Sequence, residues 1–138
     1  MFPSLQPIST NPLDSDLSNQ IVHFYCECKA LVPYILPRVK WFHCATVDVY
    51  VRCSKRHIQG FYIRTLEVAN ITVHKKRQGI YDALLSLLWA TIQPGEALFV
   101  ENVLDPGHYS IYINRGFARY NPQNGVDASF YRVKQPAD

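Results

Sequence analysis

The sequence predicts a mixed α/β fold, and three observations carry the prediction. Val47, Val49 and Val51 alternate with Asp48, Tyr50 and Arg52, the two-residue period of a half-buried strand. Phe61–Val73 (FYIRTLEVANITV) is dense in β-branched and aromatic residues. Directly after it the period changes, so that Ile80, Leu84, Leu87 and Leu88 fall on one helical face, and Ala97–Val103 (ALFVENV) then returns to a short apolar strand. Strand, helix and strand in succession are the unit of layered α/β architecture.

Taken in order, residues 1–14 are rich in Pro, Ser and Thr without a hydrophobic period and read as an extended or disordered arm; residues 15–138 read as a single domain. Asp16 or Ser18 can cap a helix whose apolar face is Ile21, Phe24, Tyr25 and Cys28. The alternation Phe24, Cys26, Cys28 leaves a strand open for the same stretch, and Pro33 and Pro37 interrupt whatever precedes them. Trp41–Cys53 reads as one strand, followed by SKRHIQG as a connection. The Phe61–Val73 run is expected as a long central strand, with Leu66, Val68 and Asn70 on one face and Glu67, Ala69 and Ile71 on the other. The helix opening at Gly79 stops at Pro94-Gly95. After Ala97–Val103, Asp105-Pro106-Gly107 opens a second helical stretch to Gly116, and strands are expected around Phe117–Tyr120 and Ser129–Val133.

The length of 138 residues suits one core. With 48% apolar and 18% charged residues, the chain is too greasy and too weakly charged for disorder. The longest nearly apolar stretch, Ala83–Ile92, is short of the roughly 17–25 residues a membrane-crossing helix needs, so no membrane partner is expected. The N-terminus has no early Lys or Arg and no apolar segment of the secretory kind, which makes a cytoplasmic location the expectation. Cys26, Cys28, Cys44 and Cys53 are then expected as reduced thiols. The net charge is +3, but residues 52–77 hold seven Lys/Arg against Glu67 alone. That stretch can serve a phosphorylated ligand, a nucleic acid or plain solvation.

The chemistry is concentrated where the central strand runs through HKKRQGIY into a helix, because a basic, Gly-containing turn at a helix start offers free N–H groups and a positive dipole end to phosphate. Neither GxxxxGK[ST] nor GxGxxG occurs there. Lys76-Arg77-Gln78-Gly79-Ile80-Tyr81 resembles motif A, [RQ]xxGx[GA], of the GNAT superfamily of acyl-CoA-dependent N-acyltransferases. Lys76 stands in the Arg/Gln position and Tyr81 in that of the second small residue. Further on, Tyr112 with Gly116-Phe117 resembles the YxxxGF signature of the same superfamily, in the same order after a strand. The resemblance covers about residues 64–117.

What the resemblance implies is a central mixed, mostly antiparallel sheet flanked by helices, and transfer of an acetyl or other acyl group from acetyl-CoA (or another acyl-CoA) to an amine by direct attack. It further implies Tyr112 as general acid and Glu67 as general base. Val73, Lys76, Arg77, Gln78, Gly79, Ile80 and Tyr81 would hold the cofactor, and Asn102 would contact the substrate. The acceptor would be a small molecule or a protein, with pairing of two copies through edge strands also open. Two other readings stand beside it. One is a catalytically silent protein of the same fold acting on a macromolecular partner, suggested by Tyr81 and Asp82. The other, less favoured, is a small nucleic-acid-binding domain using the basic stretch with Phe61 and Tyr62. No metal is expected: Cys26-x-Cys28, His43-Cys44 and Cys53 with His57 supply ligand types, but not the usual knuckle spacing.

Overall fold

The computed structural model describes residues 15–30, 37–74, 79–103, 109–120 and 128–136. The arm 1–14 lies outside them. The chain opens with a helix, α1 (Ser15–Ala30), which buries Leu17, Ile21, Phe24, Tyr25 and Cys28. Those positions recur at three and four residues, so helical spacing prevails over the alternating reading. Strands β1 (Arg38–His43), β2 (Val47–Ile58) and β3 (Phe61–Val73) follow, then α2 (Ile80–Thr91), β4 (Ala97–Val103), α3 (Tyr109–Asn114), β5 (Ala118–Tyr120) and β6 (Ala128–Val133).

The six strands form one sheet in the order β1-β2-β3-β4-β6-β5. Every neighbouring pair is antiparallel except β3 and β4, which are parallel and joined through α2. This is the mixed, mostly antiparallel sheet with flanking helices that the motifs led us to expect. One face carries Val47, Val49, Val51 and Cys53 from β2, Leu66 and Val68 from β3, Leu98 and Val100 from β4, and Phe130 from β6. The buried faces of α1, α2 and α3 join this same apolar cluster. The opposite face presents Arg52, Arg56, Thr65, Glu67, Phe99, Glu101 and Tyr131, and none of these belongs to the helix-covered cluster.

Three local expectations are revised. The expected strand Trp41–Cys53 is two strands, because the chain reverses between His43 and Val47, where the Cys44 N–H donates to the Val47 carbonyl at 3.1 Å. The stretch SKRHI is not a connection but the end of β2, which pairs as far as Ile58 with Phe61. The reversal needs only Gln59 and Gly60, both with positive φ (53° and 86°), the signature of a type I′ hairpin turn. The hairpin runs there past its outer neighbours β1 and β4, and its polar residues hold strand form through pairing within the hairpin, with Ile58 still buried and Arg56 lying over Phe99.

The third revision concerns β3. Val68 pairs with Val51 but Asn70 pairs with Tyr50, so Ala69 is an extra residue, a β-bulge. From there on, the alternation is inverted. Asn70 shares the face of Glu67, and Ile71 turns to the helix-covered side, where it packs against the core.

Candidate active site at the parting of β3 and β4

The parallel pair β3/β4 is joined only from Thr65↔Ala97 to Val68↔Val100. Both strands continue beyond, β3 to Val73 and β4 to Val103, and each carries an irregularity at that point. On β3 it is the bulge at Ala69; on β4 it lies between Val100 and Val103, which span one residue more than their β6 partners Phe130 and Ala128. Bulges bend and twist the strand that carries them, so the two parallel strands part at their C-terminal ends. The β4-facing backbone of β3 beyond Ala69 is thus free of ladder bonds to β4. In open α/β sheets a crevice at the carboxyl ends of strands is where ligands bind.

The start of α2 stands just beyond the end of β3. Gly79 sits there with φ 67° and ψ 21° in the left-handed region, and no side chain caps the helix. A Cβ at Gly79 would touch nothing within 4 Å, so glycine is required by the backbone conformation and not by space. The first intrahelical bond is Ala83 N–H to the Gly79 carbonyl at 3.0 Å. The N–H groups before it have no partner within the helix and carry the positive end of its dipole. Ile80 is 2% exposed and buries its side chain in the core, so it can offer a ligand only its backbone. Tyr81 is half-buried, its ring 6.1 Å from that of Tyr112, and burial pushes its hydroxyl up to about 12. Asp82 turns its carboxylate to Arg115, which joins α2 to the segment after α3.

Tyr112 is fully buried. Its position follows from a helix-ending motif that gives YxxxGF a physical meaning. The Phe117 N–H donates to the Tyr112 carbonyl (3.0 Å) and the Gly116 N–H to that of Ile113 (3.1 Å), with Gly116 at φ 83°. These are the two bonds of a Schellman cap, with glycine in the left-handed position. The accompanying apolar contact is Tyr112 against Phe117, ring centroids 5.6 Å apart. The Tyr112 ring also stacks on Phe130 at 5.2 Å, and Phe130 is the β6 partner of Val100, the last β4 residue joined to β3. Among the described residues its hydroxyl has no hydrogen-bond partner.

Glu67 is also fully buried, on the helix-free face. Its carboxylate accepts from Thr65 Oγ1 (2.6 Å), Arg56 Nε (2.7 Å), Arg56 Nη2 (2.9 Å) and Arg52 Nη1 (3.4 Å). Those four donors match the roughly four acceptor sites of a carboxylate. Arg52 reaches on to Glu101 with two bonds, 3.1 and 2.8 Å. Burial alone would lower the Arg56 pKa, but bonding to Glu67 and the charges of Glu67 and Glu101 outweigh it and raise it. The cluster therefore bridges β2, β3 and β4 across the point of parting.

Val73, at the end of β3, pairs with Val47 and packs partly against the core. Asn102 lies in the bulged stretch of β4, with its side chain outside the described residues; Lys76, Arg77 and Gln78 also lie outside them. The structure thus brings Val73, Gly79, Ile80, Tyr81 and Tyr112 toward one end of the sheet. A group that the sequence reading passed over sits nearby: Asp48 accepts from His43 Nδ1 at 2.9 Å and lies 3.0 Å from His74 Nε2. The bond from His43, then the charge and bond of His74, hold the Asp48 carboxyl below its ordinary value. Its signal in the sequence was the alternation that puts Asp48 on the face opposite the valines. None of the four cysteines forms a disulfide; Cys26 is exposed and Cys28 buried, so this pair does not face one metal. Among the described residues no group of three or more His, Cys, Asp or Glu is placed to hold a metal ion, and no helix is long and apolar enough to cross a membrane.

No family model matches the chain and no curated protein is similar to it. Among solved structures it is similar to a mutant of the AtaT toxin bound to the C-terminus of the antitoxin AtaR and acetyl-CoA, with 14% identity and a TM-score of 0.46 over 64% of this chain. The match spans 58% of that toxin chain. It is also similar to a chain of the KacTA–DNA complex, with 15% identity and a TM-score of 0.48, over 87% of this chain and 80% of the other.

Proposed function

We propose that the protein is an N-acyltransferase that moves an acyl group from acyl-CoA directly to an amine in the opening between β3 and β4. The observation that carries this reading is the hydroxyl of Tyr112, fully buried and without a hydrogen-bond partner among the described residues. Leaving a buried donor unmet costs about 1–3 kcal/mol, and a bound acceptor would relieve it. The parted strands and the uncapped start of α2 support the same reading. Together they offer backbone donors for a diphosphate at Gly79, Ile80 and Tyr81, to which Lys76, Arg77 and Gln78 of the same motif would add. The thioester supplies an activated acyl group.

In this reading free N–H groups of β3 toward Val73 polarise the thioester carbonyl. The amine nitrogen forms the new C–N bond as the C–S bond breaks, Tyr112 gives its proton to the departing sulfur, and the amine proton leaves to water and restores the phenol. Glu67, with its acceptor sites filled, acts by fixing Arg52 and, through it, Glu101 beside the opening. Asn102 on the bulged stretch of β4 would contact the amine.

Titration calorimetry with acetyl-CoA, and release of free thiol with a panel of amines, test the proposal. Tyr112→Phe is expected to leave stability unchanged or slightly raised, since the unmet hydroxyl goes, while transfer falls about 100-fold or more. Absence of acetyl-CoA binding at millimolar concentration would end this reading.

A further inference from the structure

A second concavity lies on the helix-covered side, toward the N-terminal end of β4 and so at the other end of that strand from the opening. Its volume is about 190 Å³, below the roughly 300 Å³ at which pockets for drug-sized ligands begin, so any occupant is small. Leu85 and Trp89 of α2, Leu98 of β4 and Phe117 form its apolar lining, and Arg115 and Arg132 supply its charge.

The two arginines are not equivalent. Arg115 is already shared between Asp82 and the Ile111 carbonyl. Arg132 lies over the Trp89 ring at 4.1 Å and donates from Nη1 to the Arg115 carbonyl at 3.0 Å. Among the described residues no carboxylate pairs with it. Lys134 adds a second cation over the same ring at 5.4 Å, its ammonium otherwise bound to the carbonyls of Trp89 and Ile92. Gly116 leaves the space this requires: a Cβ there would stand 3.3 Å from Arg132 Nε. A planar guanidinium is thus held in place over an indole, beside an apolar hollow, with no carboxylate among the described residues to balance it. Such a setting fits one charged end and one apolar body.

We infer that this pocket binds a small carboxylic acid with a compact apolar body, aromatic or branched, its carboxylate on Arg132 and its body against Leu85, Leu98 and Phe117. The inference is independent of the acyltransferase reading, because the pocket shares with it only Phe117, which packs on Tyr112 and takes no part in the transfer.

Benzoate is the probe and benzamide, of the same shape without the charge, its control. In a Trp41→Phe background Trp89 is the one remaining tryptophan, and its fluorescence reports the site. Benzoate should give a saturable change at millimolar concentrations, with benzamide binding roughly tenfold more weakly or not at all. Arg132→Gln should erase the preference for the acid. Leu85→Phe, which fills the hollow and leaves both arginines, should abolish binding of both probes; with thermal unfolding confirming that it is folded, it decides the matter should Arg132→Gln fail to fold. A response that does not saturate, an equal response to benzamide, or benzoate binding undiminished in folded Leu85→Phe would each overturn the inference.

Discussion

The two faces of the sheet are made by the same strands and are held by different forces. On the helix-covered face, Val49, Val51, Leu66, Val68, Leu98 and Val100 are stabilised by removal of apolar area from water, a force without direction that tolerates exchange of one apolar residue for another. On the opposite face, a wholly buried Glu67 is acceptable only because Thr65, Arg52 and Arg56 meet every acceptor position it has. One face depends on volume, the other on completeness. A change on the first should be graded by size, whereas on the second the loss of a single partner strands the others.

The largest expected effect follows from that difference. Glu67→Ala takes from half-buried Arg56 its close counter-charge, leaving only the longer 3.6 Å contact to Glu101, and should cost about 3–5 kcal/mol in urea unfolding. Glu67→Gln, nearly the same size, should recover little of it; full recovery would show that volume governs this face too. On the apolar face Leu84→Ala should cost about 2–5 kcal/mol and Leu84→Met less than about 1.5 kcal/mol, the graded response that separates the two faces.

A smaller effect is expected where the sheet gives way to α2. Gly79→Ala meets no clash but must adopt a positive φ, which should lower stability by about 1–2 kcal/mol in the same measurement. The smallest is on the rim. The Asp48 carboxyl is held below its usual value, so its contribution is present above the unfolded-state value near 4 and fades as pH falls through the lowered folded one. Unfolding of Asp48→Asn and the parent should therefore differ at pH 6 to 7 and converge in acid; an unchanged gap would show that the carboxylate bonds of His43 and His74 are not its source.

Periodicity read the elements well wherever one face was buried and the other wet, as in α1, α2 and the valine half of β2. It faltered at Ser54–Ile58, where four polar residues in a row, Ser54 to His57, leave no apolar alternation to mark a strand. The candidate site was legible in part. Gly79, Tyr112, Gly116 and Phe117 stood out through the two motifs of the resemblance, and the structure adds the physical reason: a left-handed glycine at both positions and a cap that packs Phe117 on Tyr112. Glu67 was legible as a charged residue on an alternating strand, but not its partners Arg52 and Arg56 on β2 or, through Arg52, Glu101 on β4, which come from neighbouring strands.

By itself, then, the chain's order of residues marked most of the helices and strands and the places where glycine turns the chain, because those depend on bonds and side chains a few residues apart; the reversal before Val47 and the end of β2 escaped it. Only the assembled sheet decided that Ala69 is a bulge that swaps the faces of Asn70 and Ile71, that β3 and β4 part after Val68 and Val100, and that Arg132 meets Trp89 and no carboxylate among the described residues. Register, parting and charge balance arise between strands far apart in the chain, and no local spacing records which partner a residue will meet.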